Sequence, residues 1–377
     1  MQQQEPMPLR HLRELGIRPA VPFHESGPAE YIAKSLKGLG VSVRRDRYGN
    51  VIARYRKAAS TKVPAVALVA HMDHPGFEVV EASGSRVVAR VLGGVPVCSL
   101  SSPMPVLVLM PDGRRVPALT SPFDGQPPAG ERYVLFNLPI QTPLSPSLPA
   151  VFDLPDFVLS GDTIQMRALD DLAGCAAVLA VLEHLATQGA EADVYGVFTR
   201  AEESGLYGAR LLAEARTLPR KTVIVSVESS AVIPGVAQSE GPVIRVGDAA
   251  WTFDADAEQA LLAACDTVRK RRPDFKVQRA LMSGGTCEAT AFALTGYRTT
   301  GVAFPLGNYH NATTRIADPN GGVDAEFIRV SDFLDGVELL TEATLAVARG
   351  DQSPIRRRLG PVPYDVRQRL VDGRTAR

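Results

Sequence analysis

The stretch from Val194 to Gly208, VYGVFTRAEESGLYG, constrains the fold of this chain more than any other. It begins as an apolar β-strand, breaks at the acidic pair Glu202 and Glu203, and continues through glycines into a helix. Neighbouring carboxylates at the end of a buried strand are unfavourable, because like charges and desolvation both oppose ionisation. Taken alone, the pair is more typical of a solvated loop. Four other strand ends or helix starts, however, carry side chains that can bind metals: His71, Asp170, Glu228 and His310.

Length and composition narrow the class of protein. A chain of 377 residues with 45% hydrophobic residues can bury a large core, and its length suggests about two domains. The formal net charge of +0 removes the usual electrostatic case for binding nucleic acid or a membrane surface. We find no signal peptide in MQQQEPMPLRHL and no apolar run near the ~20 residues that span a bilayer. Four scattered cysteines without CxxC spacing indicate reduced thiols, so we expect a cytoplasmic enzyme.

The order of apolar runs predicts a doubly wound α/β fold. Residues 9–40 are expected to form two helices, the second with Ser26 as its N-cap, and a hairpin follows. The run VPAVALVA, residues 63–70, is typical of a strand that is covered on both faces. Later strands are predicted at 193–199, 222–227, 243–246 and 299–304. Helices are predicted at 171–188, 205–216, 255–271, 286–295 and 325–347.

A different pattern separates the first strand region from the rest. Between residues 76 and 160, strand-like runs alternate with Pro, Gly and Ser clusters, and no helical period is present. This pattern predicts a small all-β module inserted into the α/β domain. We therefore divide the chain into a first catalytic part, an inserted barrel, a second catalytic part and a Pro- and Arg-rich C-terminal extension that is docked or loose. Their predicted bounds are 1–74, 75–161, 162–349 and 350–377.

Each candidate site residue also has a plain structural explanation. His71 and Asp73 end a strand with side chains on the same side, but a capping Asp beside a surface His explains that motif equally well. Asp170 and Asp171 precede a long helix, where acidic residues commonly cap the first turn. Glu228 ends the run VIVSV, and His310 follows the run GVAFP. Each of these signals is weak when it is taken alone.

Together these positions predict a two-metal hydrolase. Two histidines and three carboxylates at the edge of one sheet form a mixed nitrogen and oxygen ligand set that suits zinc. We expect His71 on one ion, His310 on the other and Asp170 between them. Glu203 would be a ligand, and Glu202 would be the general base for a water molecule that bridges the ions.

The sequence resembles the glutamyl aminopeptidase or "cellulase M" family of co-catalytic metallopeptidases, which includes the tetrahedral-shell aminopeptidases. AHMDHPGF resembles the family stretch His-Met-Asp-Glu-Ile-Gly-Phe, and RALDDLAGC resembles Lys-Ala-Leu-Asp-Asp-Arg-Ala-Gly-Cys. TRAEESGLYGA resembles Glu-Glu-Val-Gly-Leu-Arg-Gly-Ala. GGTCEATAFALTG and the later YHN resemble Gly-Gly-Thr-Asp-Ala and Tyr-x-His-Ser. In this order the motifs are highly specific, and they span the chain to about residue 347.

The resemblance implies a zinc-peptidase phosphorylase/hydrolase-like fold with an inserted β-barrel that is used in assembly. It also implies two divalent ions per subunit, with zinc favoured and cobalt or manganese as alternatives. The general base would be Glu202, and Asp73 would be the catalytic aspartate behind His71. The implied metal ligands are His71, Asp170, Glu203, Glu228 and His310.

Five positions depart from the family pattern, and they bear on the substrate. Glu228 stands where the family usually has Asp, a choice more typical of related carboxypeptidases and deacylases. The other four are His74 for Glu, Leu172 for Arg, Cys287 for Asp and Asn311 for Ser.

Three functions follow from this reading. The leading prediction is an aminopeptidase that acts on peptides or small amides and forms a homo-oligomer through the inserted barrel, with no nucleic-acid or membrane partner. The first alternative is an N-acyl amino acid deacylase or carboxypeptidase-like amidohydrolase. The second is a catalytically silent peptide-binding or assembly protein, which the cost of burying so many charged groups without chemistry disfavours.

Overall fold

The computed structural model of this protein describes residues 5–57, 64–83, 86–139, 142–351 and 358–372. These ranges contain an eight-stranded mixed sheet with helices on both faces, a closed six-stranded barrel and a three-stranded sheet. The predicted fold class, an α/β domain with an inserted β-barrel, is therefore confirmed. Residues 352–357 and 373–377 of the predicted C-terminal extension lie outside the described ranges.

The helices and strands are numbered here in chain order. The described helices are α1 (Met7–Gly16), α2 (Ser26–Ser35), α3 (Cys98–Ser101), α4 (Leu169–Gln188), α5 (Tyr207–Glu214), α6 (Ala255–Arg271), α7 (Glu288–Ala293), α8 (Val330–Arg349) and α9 (Tyr364–Asp372). The strands of the large sheet are β1 (Ser42–Arg45), β2 (Val51–Arg56), β3 (Val66–His71), β12 (Asp193–Thr199), β13 (Val223–Ala231), β14 (Val243–Gly247), β15 (Gln278–Leu281) and β16 (Arg298–Leu306). The barrel strands are β4 (Gly76–Ser83), β5 (Arg86–Leu92), β6 (Pro105–Leu109), β7 (Arg115–Pro122), β8 (Tyr133–Asn137) and β9 (Pro149–Phe152). The three-stranded sheet contains β10 (Val158–Ser160), β11 (Thr163–Met166) and β17 (Glu326–Arg329).

The large sheet has the order β1-β2-β12-β3-β13-β16-β14-β15. Its centre is parallel, because β12 and β13 both run alongside β3, and β16 runs alongside β13. These central strands are almost continuously buried, as expected for strands that are covered on both faces. The carboxyl ends of β3, β12, β13 and β16 consequently meet at one edge of the sheet, where ligands bind in folds of this type.

Two hydrophobic layers hold the helices against the sheet. Alternate residues of β3, including Leu68, face the layer formed with α1, α2, α4, α6 and α8. The intervening residues, including Val69, face the layer formed with α5 and α7. Helix α4 lies in the middle of the larger layer and is apolar around most of its circumference. It therefore forms the buried centre of the domain and carries Asp170 at its start.

The inserted barrel has a core of its own. Phe77 packs edge to face against Phe136 and Phe152, with ring centroids 5.6 and 5.5 Å apart. Strand β4 pairs with both β5 and β9 and closes the barrel, so none of the six described barrel strands is an unpaired edge strand. The next strand, β10, pairs with β11 rather than with the barrel. The domain boundaries drawn from the sequence stay a prediction.

Three local expectations are corrected by the structure. Glu228 does not end its strand, because β13 continues along β16 to Ala231 after its pairing with β3 stops at Ser226. The helix predicted at 325–347 begins at Val330, because residues 326–329 pair with β11 as β17. Ser26 is the first residue of α2 rather than its N-cap, and the preceding residue has no capping side-chain hydrogen bond. None of the described helices has the length and apolarity needed to cross a membrane.

Candidate metal centre

The five predicted ligands converge at the carboxyl edge of the central strands. His71 is the last residue of β3, and its register partner Thr199 is the last residue of β12. Glu202 and Glu203 follow β12 by a few residues, and Glu228 lies in β13. His310 lies in a 3₁₀ turn after β16, with a left-handed φ of 55°. The structure therefore brings together residues that are far apart in the chain.

The first half of the centre contains His71, Asp170 and Glu228. His71 Nε2 lies 3.2 Å from Asp170 Oδ1 and 3.9 Å from Glu228 Oε2. All three side chains are buried, and their ligand atoms lie within 4.8 Å of one another. This set could hold one divalent cation.

The second half contains Asp170, Glu203 and His310. His310 Nε2 lies 3.1 Å from Glu203 Oε1 and 3.8 Å from Asp170 Oδ2. The two oxygens of Asp170 thus face two different histidines, as a carboxylate between two cations would. Glu203 Oε1 is buried and has no hydrogen-bond partner among the described residues, although it faces His310. An acceptor left in this state is consistent with a cation ligand.

The tautomers of both histidines follow from their hydrogen bonds. His71 Nδ1 lies 2.8 Å from the carbonyl oxygen of Asp73, and His310 Nδ1 lies 3.1 Å from the carbonyl oxygen of Gly94. A carbonyl only accepts, so both Nδ1 atoms carry a proton and donate it. Nε2 of each ring is thereby directed toward Asp170, in the arrangement by which proteins orient histidines toward metals.

The Asp73 carboxylate supports the acidic turn. It accepts hydrogen bonds from the backbone amides of Glu202 and Glu203, each at 3.1 Å. Its Oδ1 is 3.9 Å from His71 Nδ1, while its own carbonyl is the closer partner of that ring. Asp73 therefore positions both the histidine and the two glutamates, and the catalytic role predicted for it stays a prediction.

Glu326 was missed in the sequence analysis. Its buried carboxylate accepts backbone hydrogen bonds from Leu169 at 2.6 Å, from Asp170 at 3.0 Å and from His310 at 3.0 Å. It thus fixes the backbone of a ligand in each half of the centre. The only signal in the sequence is one acidic residue in the strand EFIR, which is also typical of a solvated strand face.

Two further residues with ionisable side chains, Glu288 and Arg245, lie close to Glu228. Glu288 is fully buried, and Ser226 Oγ lies 3.1 Å from Glu288 Oε2 and 3.2 Å from Glu228 Oε1. The guanidinium of Arg245 is also buried, and its Nη1 lies 3.9 Å from Glu228 Oε1. Arg245 Nε has no hydrogen-bond partner in the described part of the chain. Neither residue was singled out from the sequence, because an isolated charge beside an apolar run has many structural explanations.

The electrostatics of the cluster favour a bound cation. Burial raises the pKa of Glu202 and of Glu228 well above the usual range, and neighbouring carboxylates add to this effect. Burial lowers the pKa of His310, but the charges of Glu203 and Asp170 outweigh it and raise that pKa to about 9. Carboxylates crowd together in this way at a large electrostatic cost, which divalent cations offset. The residues present therefore fit two metal ions.

A cavity of about 310 Å³ opens onto the centre. Its walls are formed by residues at the carboxyl edge of the central strands and by the loop that precedes α7. Besides site residues it is lined by Leu206, Ser229, Ile233, Met282, Gly284, Gly285, Thr286, Cys287 and Tyr309. The cavity thus combines a charged floor with a mostly small or apolar wall, as substrate pockets commonly do.

The remaining departures from the family pattern have structural roles. Leu172, near the start of α4, is buried in the main hydrophobic core, and Asn311 donates a hydrogen bond to the carbonyl of Arg167 at 2.8 Å. The amide of Cys287 donates to Asp248 at 3.1 Å. His74 Nε2 accepts from the amide of Ala20 at 3.3 Å. None of these four residues belongs to the groups that could hold a metal among the described residues.

Known sequences match parts of this chain. The family model of the M42 glutamyl aminopeptidases matches residues 144–320, a range that contains four of the five predicted ligands. A curated relative from Acetivibrio thermocellus, named provisionally as an aminopeptidase, is 27% identical over 195 residues. That match covers 50% of this chain and 53% of the relative. The chain therefore spans about half the length of the curated relatives it matches.

Solved structures share the fold over nearly their whole length. The TET aminopeptidase from the marine sediment archaeon Thaumarchaeota archaeon SCGC AB-539-E09 superposes with a TM-score of 0.74 at 19% identity, covering 91% of this chain and 99% of that one. The TET1 peptidase of Pyrococcus horikoshii is described as assembling into a tetrahedron or a large octahedral shell. It superposes with a TM-score of 0.72 at 21% identity, covering 89% of this chain and 99% of that one. An aminopeptidase from Desulfurococcus kamchatkensis superposes with a TM-score of 0.71 at 22% identity, covering 92% of this chain and 98% of that one.

The fold is thus that of the TET peptidases, which are hydrolases of the aminopeptidase class. The predicted resemblance to the M42 glutamyl aminopeptidase family is confirmed.

Proposed function

We propose that this protein is a two-metal aminopeptidase that hydrolyses the amide bond behind the N-terminal residue of peptides. The arrangement of Asp170 supports this most directly, because its two oxygens face Nε2 of two different histidines. The family match and the aminopeptidases among the relatives support the same class of reaction.

Each side chain has a distinct role in the proposed centre. His71 and Glu228 would hold one divalent cation, Glu203 and His310 would hold the other, and Asp170 would contribute one oxygen to each group. Bound there, the cations would lower the pKa of a water molecule and polarise the scissile carbonyl. The mixed nitrogen and oxygen set favours zinc, with cobalt and manganese as alternatives.

Glu202 is the proposed general base. Its carboxylate lines the cavity and lies 3.9 Å from His71 Nε2, while its backbone amide is fixed by Asp73. Burial raises the pKa of Glu202, so its carboxylate holds an accepted proton more firmly than an exposed glutamate does. That property suits a group that takes a proton from water and returns it to the leaving amine.

The function is tested with Glu202→Gln. We expect this variant to keep its fold and both cations but to lose ~10²–10⁴-fold in kcat, the usual contribution of a positioned base. The measurement is hydrolysis of an aminoacyl p-nitroanilide together with metal content by elemental analysis. Glu203→Gln is the matched control, because removing a ligand should lower the metal content. Normal turnover by Glu202→Gln at full metal content would assign the base to another group.

An N-acyl amino acid deacylase is the second candidate, and the surroundings of Glu228 favour it. The buried Arg245 guanidinium beside Glu228 would repel a substrate's α-ammonium group at this end of the cavity. Chelator-sensitive hydrolysis of free aminoacyl and N-acyl amide substrates separates the two activities. A protein that binds peptides but hydrolyses neither class would instead be catalytically silent.

We also propose that the protein associates with itself through the barrel and that it is located in the cytoplasm. Assembly is supported by the shells described for the Pyrococcus horikoshii relative. The location is supported by the four cysteines, which are all buried and unpaired, as in reducing compartments.

A further inference from the structure

The loop that follows β5 in the barrel, residues 93–97, lies against the segment that carries His310. The carbonyl of Gly94 accepts the Nδ1 proton of His310 at 3.1 Å. The amide of Val97 donates to the carbonyl of Ile316 at 2.8 Å. Val323, farther along the same segment, packs against the hydrophobic core of the barrel. The barrel therefore holds the His310 segment at three places.

The loop approaches two ligands so closely that it requires glycine. A Cβ atom on Gly94 would lie 2.3 Å from His310 Nδ1 and 2.7 Å from its Cε1, well inside van der Waals contact. A Cβ atom on Gly93 would lie 3.0 Å from Cβ of Glu203, and Gly93 has a left-handed φ of 76°. Both neighbours belong to the same half of the metal centre.

The loop is itself fixed to the barrel. The carbonyl of Gly93 accepts a hydrogen bond of 2.7 Å from Arg132 Nη2, just ahead of β8. The backbone carbonyl of Arg132 accepts in turn from the amide of Val91 at 2.8 Å. A continuous set of contacts thus runs from the barrel wall through Gly93 and Gly94 to the ring of His310.

The two halves of the centre differ in which part of the chain orients their histidine. The Nδ1 proton of His71 is accepted by the carbonyl of Asp73, which lies two residues after the end of β3 in the catalytic domain. The Nδ1 proton of His310 is accepted by a residue of the inserted barrel. The first half is therefore oriented by the catalytic domain, and the second half is oriented across the contact between the domains.

We infer that the inserted barrel helps to form the metal centre. Gly94 is a positioning residue for His310, and through His310 it controls cation binding by the Glu203–His310 half. This inference rests on the proposed function only in that two cations bind. Its consequence is that disturbing the barrel loop removes one cation and leaves the other in place.

The test measures cation binding rather than turnover. Metal-free full-length protein is titrated with Zn²⁺ by calorimetry, and bound Co²⁺ is followed by its visible absorption, which reports ligand geometry. We expect two cations in the wild type. In Gly94→Ala we expect one dissociation constant to rise at least ~10-fold, the scale typical of lost histidine support, with an altered Co²⁺ spectrum. Gly125→Ala is the matched control in the same barrel, because its new methyl group meets only the adjustable ring of Phe123.

A double-mutant cycle shows whether Gly94 acts through His310. Gly94→Ala should have no further effect on cation binding in a His310→Ala background, because the affected ligand is already gone. A milder variant, Arg132→Gln, removes the hydrogen bond to Gly93 without adding atoms near the site, and we expect the same cation to weaken several-fold. Its control is Arg86→Gln, which breaks a pair with Asp124 on the barrel surface.

Two outcomes separate this inference from the proposed function. If Gly94→Ala and Arg132→Gln both bind two cations with wild-type dissociation constants and an unchanged Co²⁺ spectrum, the barrel loop only packs against the site and the inference is wrong. If the wild type binds fewer than two cations, the two-metal function fails first.

Discussion

Glu228 is the residue at which this chain differs most consequentially from the family it resembles. A glutamate reaches one methylene farther than an aspartate, and here it lies between Ser226, Glu288 and Arg245. The Arg245 contact places a positive charge next to the ligand, where a substrate's free amine would have to compete with it. In the proposed function, we expect both the side-chain length and the local charge at this position to affect which end of a substrate the cavity accepts.

We predict that Glu228→Asp shifts selectivity toward substrates with a free amine. A shorter side chain retracts the ligand and leaves more room for an ammonium group near the His71 half. The measurement is the ratio of kcat/KM for a free aminoacyl amide over its N-acetyl analogue, at matched metal content. A change of about tenfold, or ~1.4 kcal/mol, would be clear of ordinary mutational noise. Parallel losses on both substrates would make Glu228 a mere length variant.

His74 gives a prediction about pH. Its Nε2 accepts from Ala20 and its Nδ1 faces the carbonyl of Pro75, so the folded protein holds the neutral ring. Burial lowers the pKa of His74 from 6.5 to about 4. As the pH is lowered, His74 therefore becomes protonated near pH 6.5 in the unfolded chain but only near pH 4 in the folded chain. Stability from this group is complete above pH 6.5 and falls as the pH is lowered toward 4.

The pH effect is measured by urea unfolding of the metal-free protein at pH 7.5 and 5.0. Between these values His74 should account for a loss of about 2 kcal/mol in the free energy of unfolding. In His74→Gln that part of the pH dependence should disappear. His184→Gln, on the exposed side of α4, should keep the wild-type dependence. Equal pH dependence in His74→Gln and the wild type would contradict the assignment.

At the scale of elements, Glu326 connects three of them. From β17 its carboxylate accepts amide protons at the start of α4 and in the 3₁₀ turn after β16. These are the elements that carry Asp170 and His310. Because one side chain fixes both backbones, the spacing between the two halves of the centre depends on it.

We predict that Glu326→Gln weakens the binding of both cations. The amide nitrogen of glutamine cannot accept, so at least one buried backbone N–H loses its partner, at a cost of about 1–3 kcal/mol. Calorimetric metal titration and thermal unfolding measure the two effects. Asp332→Asn is the matched control, because Asp332 accepts from the amides of Ser239 and Gly241 away from the site. Destabilisation in both variants with weaker cation binding only in Glu326→Gln is the expected result. Unchanged affinity in Glu326→Gln would refute it.

Elements were predictable where local signals agreed. The helix predicted at 255–271 is found at Ala255–Arg271, where Asp254 caps the first turn by accepting from Ala257 at 2.7 Å. Strand β17 was missed because its four residues join a helix without a break, and only pairing with β11 identifies it. Likewise, the ligand types were visible in the sequence, whereas Glu326, Glu288 and Arg245 act through contacts that only the fold creates.

For the whole molecule, we predict that the full-length chain forms a homo-oligomer. The barrel has a hydrophobic core of its own, so we expect its outer surface, rather than the catalytic fold, to mediate association. Sedimentation velocity at micromolar concentration should give a mass several times that of one chain. A variant ending at Gly350 is the control, because it tests whether the C-terminal extension, rather than the barrel, mediates association. A monomer at this concentration would contradict the prediction.

The contact between Gly94 and His310 joins residues 216 positions apart in the chain. During synthesis, the barrel can fold long before the ribosome has made the His310 segment. A nascent chain that has been made as far as Glu228 therefore contains the barrel and every residue of the two groups except His310. If the protein has the proposed peptidase activity, the chain acquires that activity only late in its synthesis, and a growing copy without His310 would not yet cleave peptides.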